Sequence, residues 1–284
     1  MDGRVKANAA IVPAGSQGAV SVFVSNTTDL VLDIDGYFTL AGNSTQSFYP
    51  LAPCRVYDTR NFGLFLQGGK RYIFPISGVC NIPSSAAAYS LNFTAVPHVP
   101  LGYLTVWPFG QSQPVVSTLN APTGTTTANA AIVPAGTDKE GSIEAFASND
   151  TDLVIDVNGY FAPAGQNGLS LYSVAPCRVL DTRNGNGAFV NELTVDVVDS
   201  VCGPSNLAQA YVFNATVVPS GPLGYLTLWP DCPQCQQPYV STLNAIDGAI
   251  TSNMAIVPNS DGSTDAFASN LTQLVLDISA YFAP

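Results

Sequence analysis

The sequence predicts an all-β protein made of tandem antiparallel β-sandwich or jelly-roll repeats that are closed by disulfides. Three observations support this: short runs alternate apolar and polar residues, one such run occurs three times, and cysteines recur at one spacing. No window shows the 3.6-residue period of a helix. Turn residues separate the runs, and no helical crossovers connect them. Each unit should therefore be a sandwich of about 100–120 residues.

A run that ends in Tyr-Phe occurs at residues 26–38, 149–161 and 270–282. In the middle copy, apolar residues such as Ile155 alternate with polar residues such as Asp156. This is the period of a half-buried strand, so Ile155 should face the core and Asp156 should face solvent or a polar neighbour. Each copy is interpreted as the closing strand of a repeat.

The repeat is domain-sized, because Cys54 and Cys177 occupy equivalent positions 123 residues apart (177 − 54). The 284 residues then hold a partial repeat at 1–41 and complete repeats at 47–163 and 168–284. Short alternating runs in the first complete repeat predict its strands, which are 89–96, 102–107, 114–120, 128–133, 142–148 and 152–161.

The partial repeat has only about three closing strands, and three strands alone cannot bury their apolar face. We expect residues 1–41 to become ordered when strands from a neighbouring subunit, or from upstream residues, complete a sandwich. The side chains that would face that partner are Ile11, Val20, Val22, Val24, Leu30, Leu32 and Ile34.

Composition excludes two classes of partner. Only 10% of the residues are charged, and the formal net charge is -11. Nucleic-acid phosphates and anionic membrane surfaces call for a basic patch, so neither is an expected partner. No apolar run approaches the ~20 residues of a membrane-spanning helix, and no membrane insertion is expected.

Six cysteines indicate an oxidising compartment. Cys54 and Cys80 correspond to Cys177 and Cys202 in the next repeat, at nearly equal spacing, which predicts the disulfides Cys54–Cys80 and Cys177–Cys202. The loop 232–235 begins and ends with Cys232 and Cys235 but has no helix to lower a thiol pKa and no second pair for zinc, so a loop-stiffening disulfide is predicted. The protein is expected to be extracellular or on a cell surface.

Two equivalent segments, 54–60 and 177–183, share the pattern Cys-Arg-Val-Xaa-Asp-Thr-Arg. Arginine satisfies several acceptors at once, so each segment predicts an ion-pair node that fixes strand register beside a disulfide. The alternative interpretation is a shallow site for an anionic sugar. The node residues are Arg55, Asp58, Arg60, Arg178, Asp181 and Arg183.

No catalytic, cofactor or metal site is predicted. Carboxylates such as Asp33 and Asp156 offer oxygens to calcium, but a calcium site needs six to eight ligands and the spacing here is that of turns. Nothing places two carboxylates across a cleft as a glycosidase requires. The single histidine, His98, is Ser220 in the next repeat, so no His-based triad belongs to the repeated design. We predict no enzymatic activity.

Several asparagines begin Asn-Xaa-Ser/Thr sequons, although the same residue types are common in turns. Those within predicted strands, Asn92 and Asn214, are the weakest candidates. The candidate glycosylation sites are Asn26, Asn43, Asn149 and Asn270.

Five segments carry a resemblance to a known repeat: 53–60, 100–108, 117–120, 128–136 and 152–161. On these segments, and over essentially its whole length, the chain resembles an uncharacterised tandem β repeat of secreted and surface proteins of environmental bacteria. The resemblance implies export and repetition, but no activity. The last copy departs from the pattern at Ser279-Ala280, where the earlier copies have Asp-Gly and Asn-Gly.

Two functions are expected from different classes. The first is a structural subunit of an extracellular filament or surface stalk, whose copies join head to tail by strand sharing through residues 1–41. The second is a cell-surface adhesin or carbohydrate-binding array. In that case the aromatic residues that stack on surface glycans would be Tyr103, Trp107, Tyr225 and Trp229.

Overall fold

Fifteen β-strands and three short 3₁₀ turns form the secondary structure of residues 3–40, 46–185 and 187–284, which are the residues that the computed structural model describes. The predicted all-β class is confirmed. The chain is described below as two complete units and one incomplete unit, named module 1 (residues 46–163), module 2 (residues 168–284) and the half-module (residues 3–40).

Module 1 is an eight-stranded sandwich. Its strands are β1 (Gln46–Asp58), β2 (Arg71–Phe74), β3 (Ala88–Pro97), β4 (Leu101–Pro108), β5 (Leu119–Ala121), β6 (Thr127–Pro134), β7 (Ile143–Ala147) and β8 (Thr151–Pro163). They form two antiparallel sheets, in the orders β1-β8-β3-β6 and β2-β7-β4-β5. Eight strands in this order make a jelly roll, because the last strand lies between the first and the third.

Module 2 repeats this arrangement with one difference. Its strands are β9 (Ser170–Asp181), β10 (Phe189–Asp196), β11 (Ala210–Pro219), β12 (Leu223–Pro230), β13 (Leu243–Ala245), β14 (Thr251–Pro258) and β15 (Ser263–Ala283). The single strand β15 takes the places of both β7 and β8. Its first part pairs with β10 and β12, and its last part pairs with β9 and β11.

Each module has its own apolar core, and a third cluster joins the two modules. In β8, Ile155 is fully buried in the core of module 1, as the alternation predicts. The joining cluster contains Phe48 and Phe161 of module 1 with Met254 and Phe282 of module 2. Because burying a large apolar side chain contributes about 1.5–3 kcal/mol, this cluster holds the modules together.

The predicted strand at 114–120 is wrong for most of its length, because only Leu119–Ala121 is a strand. Side-chain hydroxyls replace the missing ladder. Thr105 Oγ1 donates to the carbonyl of Val116 at 2.6 Å, and the backbone N–H of Val106 donates to Thr118 Oγ1 at 3.1 Å. Threonine offers the backbone an alternative to strand pairing in this way.

The three strands expected in the partial repeat are not formed in the half-module. Residues 3–40 are extended, with one 3₁₀ turn at Ser16–Gly18, and they pair with no strand among the described residues. A strand needs a neighbour to satisfy its backbone. In module 1 the corresponding strands β6, β7 and β8 all take neighbours from β1–β5, and the half-module has no such set beside it.

All six cysteines are paired. The disulfides Cys54–Cys80, Cys177–Cys202 and Cys232–Cys235 have Cα–Cα distances of 6.1, 5.7 and 5.1 Å. Three disulfides are typical of a protein that folds in an oxidising compartment. Within the described ranges, no helix has the length and apolar character to cross a bilayer.

Replacing Cys54 and Cys80 together by alanine should destabilise module 1 by roughly 3–4 kcal/mol, because the bridge closes a loop of about 25 residues in the unfolded chain. Denaturant unfolding of the full chain measures this loss. The matched pair Cys177→Ala and Cys202→Ala should lower the stability of module 2 instead. Free thiols at these four positions, found by peptide mapping without reduction, would contradict the prediction.

Candidate assembly site

Three asparagines at equivalent repeat positions, Asn8, Asn129 and Asn253, form a closed ring of hydrogen bonds. Each Oδ1 accepts from the backbone N–H that follows the asparagine of another repeat. The bonds run from Met254 to Asn8 at 3.0 Å, from Ala130 to Asn253 at 2.9 Å and from Ala9 to Asn129 at 3.1 Å. The half-module and the two modules therefore lie around a pseudo-threefold axis.

Three phenylalanines pack on this axis. Phe38, Phe161 and Phe282 each end a copy of the closing run. Their ring centroids lie 5.9, 6.1 and 6.3 Å apart in tilted or edge-to-face contacts. Aromatic pairs favour this geometry. The half-module is thus held at both ends, through Asn8 near its start and Phe38 near its end.

Between those two contacts, the apolar face of the half-module is open. Leu32 is 68% exposed and Ile34 is 84% exposed, whereas their equivalents in module 1, Ile155 and Val157, are at most 1% exposed. The same contrast holds for Val20, Val22, Val24 and Leu30. Ile11 alone of the seven predicted assembly residues is half-buried, against the cluster that joins the modules.

The topology of module 1 shows which strands such a face requires. There β8 lies between β1 and β3, β7 lies between β2 and β4, and β6 pairs with β3. Every one of these neighbours belongs to β1–β5, named here the first half of the repeat; β6–β8 and their equivalents form the second half. The half-module corresponds to the second half of the repeat, so the strands that would complete it are those of a first half.

The predicted arginine nodes form as compact clusters. Asp58 accepts from Arg60 Nε at 2.8 Å and Nη2 at 2.6 Å, and from Arg55 Nη1 at 3.3 Å. The hydrogen bonds from Arg60 lower the pKa of Asp58 below its ordinary value. In module 2, Arg183 and Arg178 contact Asp181 in the same way, and the hydrogen bonds from Arg183 lower the pKa of Asp181 to about 2.

Each node has a further member that the sequence does not reveal. Asp156 accepts from Arg55 at 2.8 and 3.2 Å, and Asp277 accepts from Arg178 at the same distances. Of the two orientations expected for Asp156, solvent is wrong and a polar neighbour is right, because it is buried against Arg55. Burial raises the pKa of Asp156, while Arg55 acts in the opposite direction.

Module 2 completes the surroundings of Asp156. The backbone N–H of Ser241 donates to Asp156 Oδ2 at 3.3 Å, and the ring of Tyr239 lies over the Arg55 guanidinium at 5.3 Å. Both residues lie in the segment 238–244, which runs into β13 and is named here the 238–244 loop. No signal within module 1 indicates these contacts, since they depend on how the two modules pack.

The structure places the carbohydrate-stacking candidates differently. Trp107 and Trp229 are each 3% exposed, so neither offers a ring face to a sugar, and the tryptophan part of that interpretation is wrong. Tyr103 stacks on Phe146 at 5.7 Å, and Tyr225 stacks on Phe267 at 5.6 Å. These two pairs occupy equivalent positions in the two modules, as do the stacked pairs Tyr49–Tyr160 and Tyr172–Tyr281.

Among the candidate glycosylation sites, Asn26, Asn149 and Asn270 are exposed, and Asn43 lies outside the described residues. The third residues of two sequons, Thr151 and Thr272, are fully buried. In the part of the chain that the structure describes, no three His, Cys, Asp or Glu side chains group as metal ligands. The imidazole of His98 instead pairs with Asp152 at 2.7 Å.

No protein-family model and no curated protein matches the chain. Several solved structures share weak likeness with it, among them the following two. One is a nodavirus of Penaeus vannamei, at 11% identity over 92% of this chain and 99% of that chain, with a TM-score of 0.26. The other is an IolB-like protein of Salmonella typhimurium, at 10% identity over 84% and 92%, with a TM-score of 0.25. At these TM-scores neither bears on the function of this chain.

The two equivalent carboxylates should differ in their contribution to stability. Asp156→Asn should cost about 3 kcal/mol of unfolding free energy, because it removes the charge of a buried carboxylate that pairs with a largely buried arginine at the junction between modules. Asp277→Asn should cost less than about 1 kcal/mol, since its side chain is 29% exposed and Arg178 is 51% exposed. Denaturant unfolding of the two full-chain variants measures both costs, and equal costs would contradict the burial argument.

Proposed function

We propose that this chain is a structural subunit of an extracellular filament or surface stalk, and that a neighbouring subunit completes the half-module by strand addition. The observation that carries the proposal is the open apolar face of residues 20–34, held at the pseudo-threefold axis by Asn8 and Phe38. The equivalent side chains are buried in the core of both complete modules, so this face should be covered by a partner.

The free energy available for this contact is large. Six exposed side chains of the face would each contribute about 1.5–3 kcal/mol on burial, apart from the entropy lost on association. The added strands would also satisfy the unpaired backbone groups of the half-module. Because a second half meets a first half, the contact is heterologous, and repeated contacts of this kind produce an open chain of subunits.

The content of the modules sets a condition on the partner. The described residues hold two first halves and three second halves, and both first halves are already paired within the chain. The partner must therefore bring a first half that is not paired with its own second half. Subunits joined head to tail are the proposed arrangement; because a copy of residues 3–284 holds both of its first halves paired, the next subunit would supply the first half from a part of its chain outside these residues.

The proposed role is non-enzymatic and is set outside the cytosol. The three disulfides support an extracellular or cell-surface location, where such bridges persist. The formal charge of -11 supports partners other than nucleic acid. The arginine nodes stabilise the modules rather than bind a ligand in this proposal.

A cell-surface adhesin or carbohydrate-binding array is the second candidate. The stacked pairs Tyr103–Phe146 and Tyr225–Phe267 favour it, because they recur at equivalent positions on the two modules. An adhesin would stay monomeric and bind a glycan array, whereas a filament subunit would form ordered fibres that negative-stain electron microscopy detects.

Deleting residues 1–41 should abolish end-to-end association and leave both modules folded, because neither core uses the half-module. Light scattering of the native assembly and of the deleted protein measures the loss, and far-UV circular dichroism reports the fold. Unchanged assembly after the deletion would refute strand addition through the half-module.

The double substitution Leu32→Asp and Ile34→Asp should lower the association constant by at least about tenfold, because it would bury two unpaired carboxylates in the completed sandwich. Its melting temperature as a monomer should be unchanged, since both positions are exposed there. Ile155→Asp, at the equivalent of Leu32, should instead unfold module 1.

The matched control for this variant is Ser21→Glu. Its equivalent in module 1 is Glu144, so the completed sandwich accepts a carboxylate at that position. Assembly of the control should match that of the unmodified chain. If the control and the double variant assembled equally well, the apolar face would have no part in association.

A further inference from the structure

The two modules carry the same groove beside their arginine nodes. Groove 1 is lined in module 1 by Pro53, Asn92, Asp156, Val157 and Asn158, together with residues of module 2. Groove 2 is lined in module 2 by the equivalent residues Pro176, Asn214, Asp277, Ile278 and Ser279, with Cys177 and Arg178. The positions correspond one to one. Proline, asparagine and aspartate are identical in the two grooves, whereas Val157 corresponds to Ile278 and Asn158 to Ser279.

Groove 1 is filled by the 238–244 loop of module 2. The carbonyl of Ser241 accepts from Asn92 Nδ2 at 2.7 Å, and its N–H donates to Asp156 at 3.3 Å. The ring of Tyr239 covers Arg55. A cavity of only about 30 Å³ is left beside the loop.

Groove 2 is open. Its cavity measures about 520 Å³, and no loop backbone bonds to Asp277 within the described ranges. Arg178 is 51% exposed, whereas Arg55 is 19% exposed beneath Tyr239. The groups that hold the loop in groove 1 thus have equivalents in groove 2. There Asp277 pairs with Arg178 and is 29% exposed, and Asn214 Nδ2 donates to Thr216 Oγ1 at 3.4 Å rather than to a loop carbonyl.

The pseudo-threefold axis shows where an occupant of groove 2 would come from. Asn253 of module 2 donates to Asn92 in groove 1 at 2.8 Å, and to the carbonyl of Thr242 in its own loop at 2.7 Å. Asn8 of the half-module makes the first of these bonds, to Asn214 in groove 2, also at 2.8 Å. The half-module therefore has the same position relative to groove 2 as module 2 has relative to groove 1.

The loop that would accompany Asn8 belongs to a first half. In module 1, Asn129 likewise donates to the carbonyl of Thr118, in the loop just before β5. The loops of the two modules share the sequence Val-Ser-Thr-Leu-Asn, at 116–120 and 240–244. A first half that pairs with the half-module would bring its own copy of this loop to groove 2.

We infer that groove 2 is the docking site for the Val-Ser-Thr-Leu-Asn loop of the first half that completes the half-module. The inference rests on the proposed function, and it defines the partner as a polypeptide that carries a first half of this repeat. The backbone N–H of the loop serine would donate to Asp277, and its carbonyl would accept from Asn214. The residue two positions before it, which is Tyr239 in module 2 and Val115 in module 1, would lie over Arg178. The partner then binds through two surfaces, the strands of the half-module and groove 2.

The test is a chain extended by one first half. Residues 168–248 are fused ahead of residue 4, which is equivalent to residue 249, so the junction follows the connection found in module 2. Hydrogen exchange in residues 20–38 reports whether the half-module is completed. Asn214→Ala and Asp277→Asn report on groove 2, each made in the extended chain and in the original chain, with the exposed Glu192→Gln as the control.

Exchange in residues 20–38 should slow by at least about a hundredfold in the extended chain, as for core strands. The groove variants should raise the unfolding equilibrium constant of the completed half-module in the extended chain at least about tenfold more than they raise that of the original chain, and Glu192→Gln should not. In a different outcome, exchange in residues 20–38 slows while the groove variants destabilise the extended chain no more than the original chain. That result would overturn the docking inference but would still support strand addition.

Two other results would also overturn the inference. Fast exchange in residues 20–38 of the extended chain would remove the proposed function, and the docking site with it. The original chain could also self-associate in a way that Asp277→Asn and Val115→Asp each abolish. That result would assign groove 2 to the 114–120 loop of a second copy, in which Val115 is fully exposed.

Discussion

The fold depends on one constraint, which is that neither half of the repeat can form a sheet without the other. In module 1, β8 takes both of its neighbours from the first half, and β7 does the same in the opposite sheet. Isolated strands leave backbone groups and apolar side chains in water. Each module therefore requires both of its halves, and among the described residues the half-module has no first half to complete it.

A polar ring within an apolar cluster gives the three units their arrangement. The asparagine bonds at the axis are directional, so they fix the rotation of one unit relative to the next, while Phe48 and the three axial phenylalanines supply the buried area. Asn129 and Asn253 are buried, and buried polar groups with satisfied hydrogen bonds favour one arrangement over others. The half-module keeps its place on the axis through the same contacts that the complete modules use.

The sequence predicts the fold class and the repeat, because alternation and spacing are local signals. The apolar face of Leu32 and Ile34 could be found in the same way. Asp156 and Tyr239 show where local signals end, since their contacts cross from one module to the other and no period within a module encodes them. The prediction of a strand at 114–120 was wrong for another reason. Threonine hydroxyls make hydrogen bonds to the backbone there in place of strand pairing.

The continuous strand β15 has a mechanical consequence. It runs 21 residues without a break and is clamped by β10 and β12 near its start and by β9 and β11 near its end. A pull along this strand loads its ladders in shear, so many hydrogen bonds must break together. In module 1 a turn between β7 and β8 divides the same path into two shorter ladders. Along this direction we therefore expect module 2 to resist extension more than module 1.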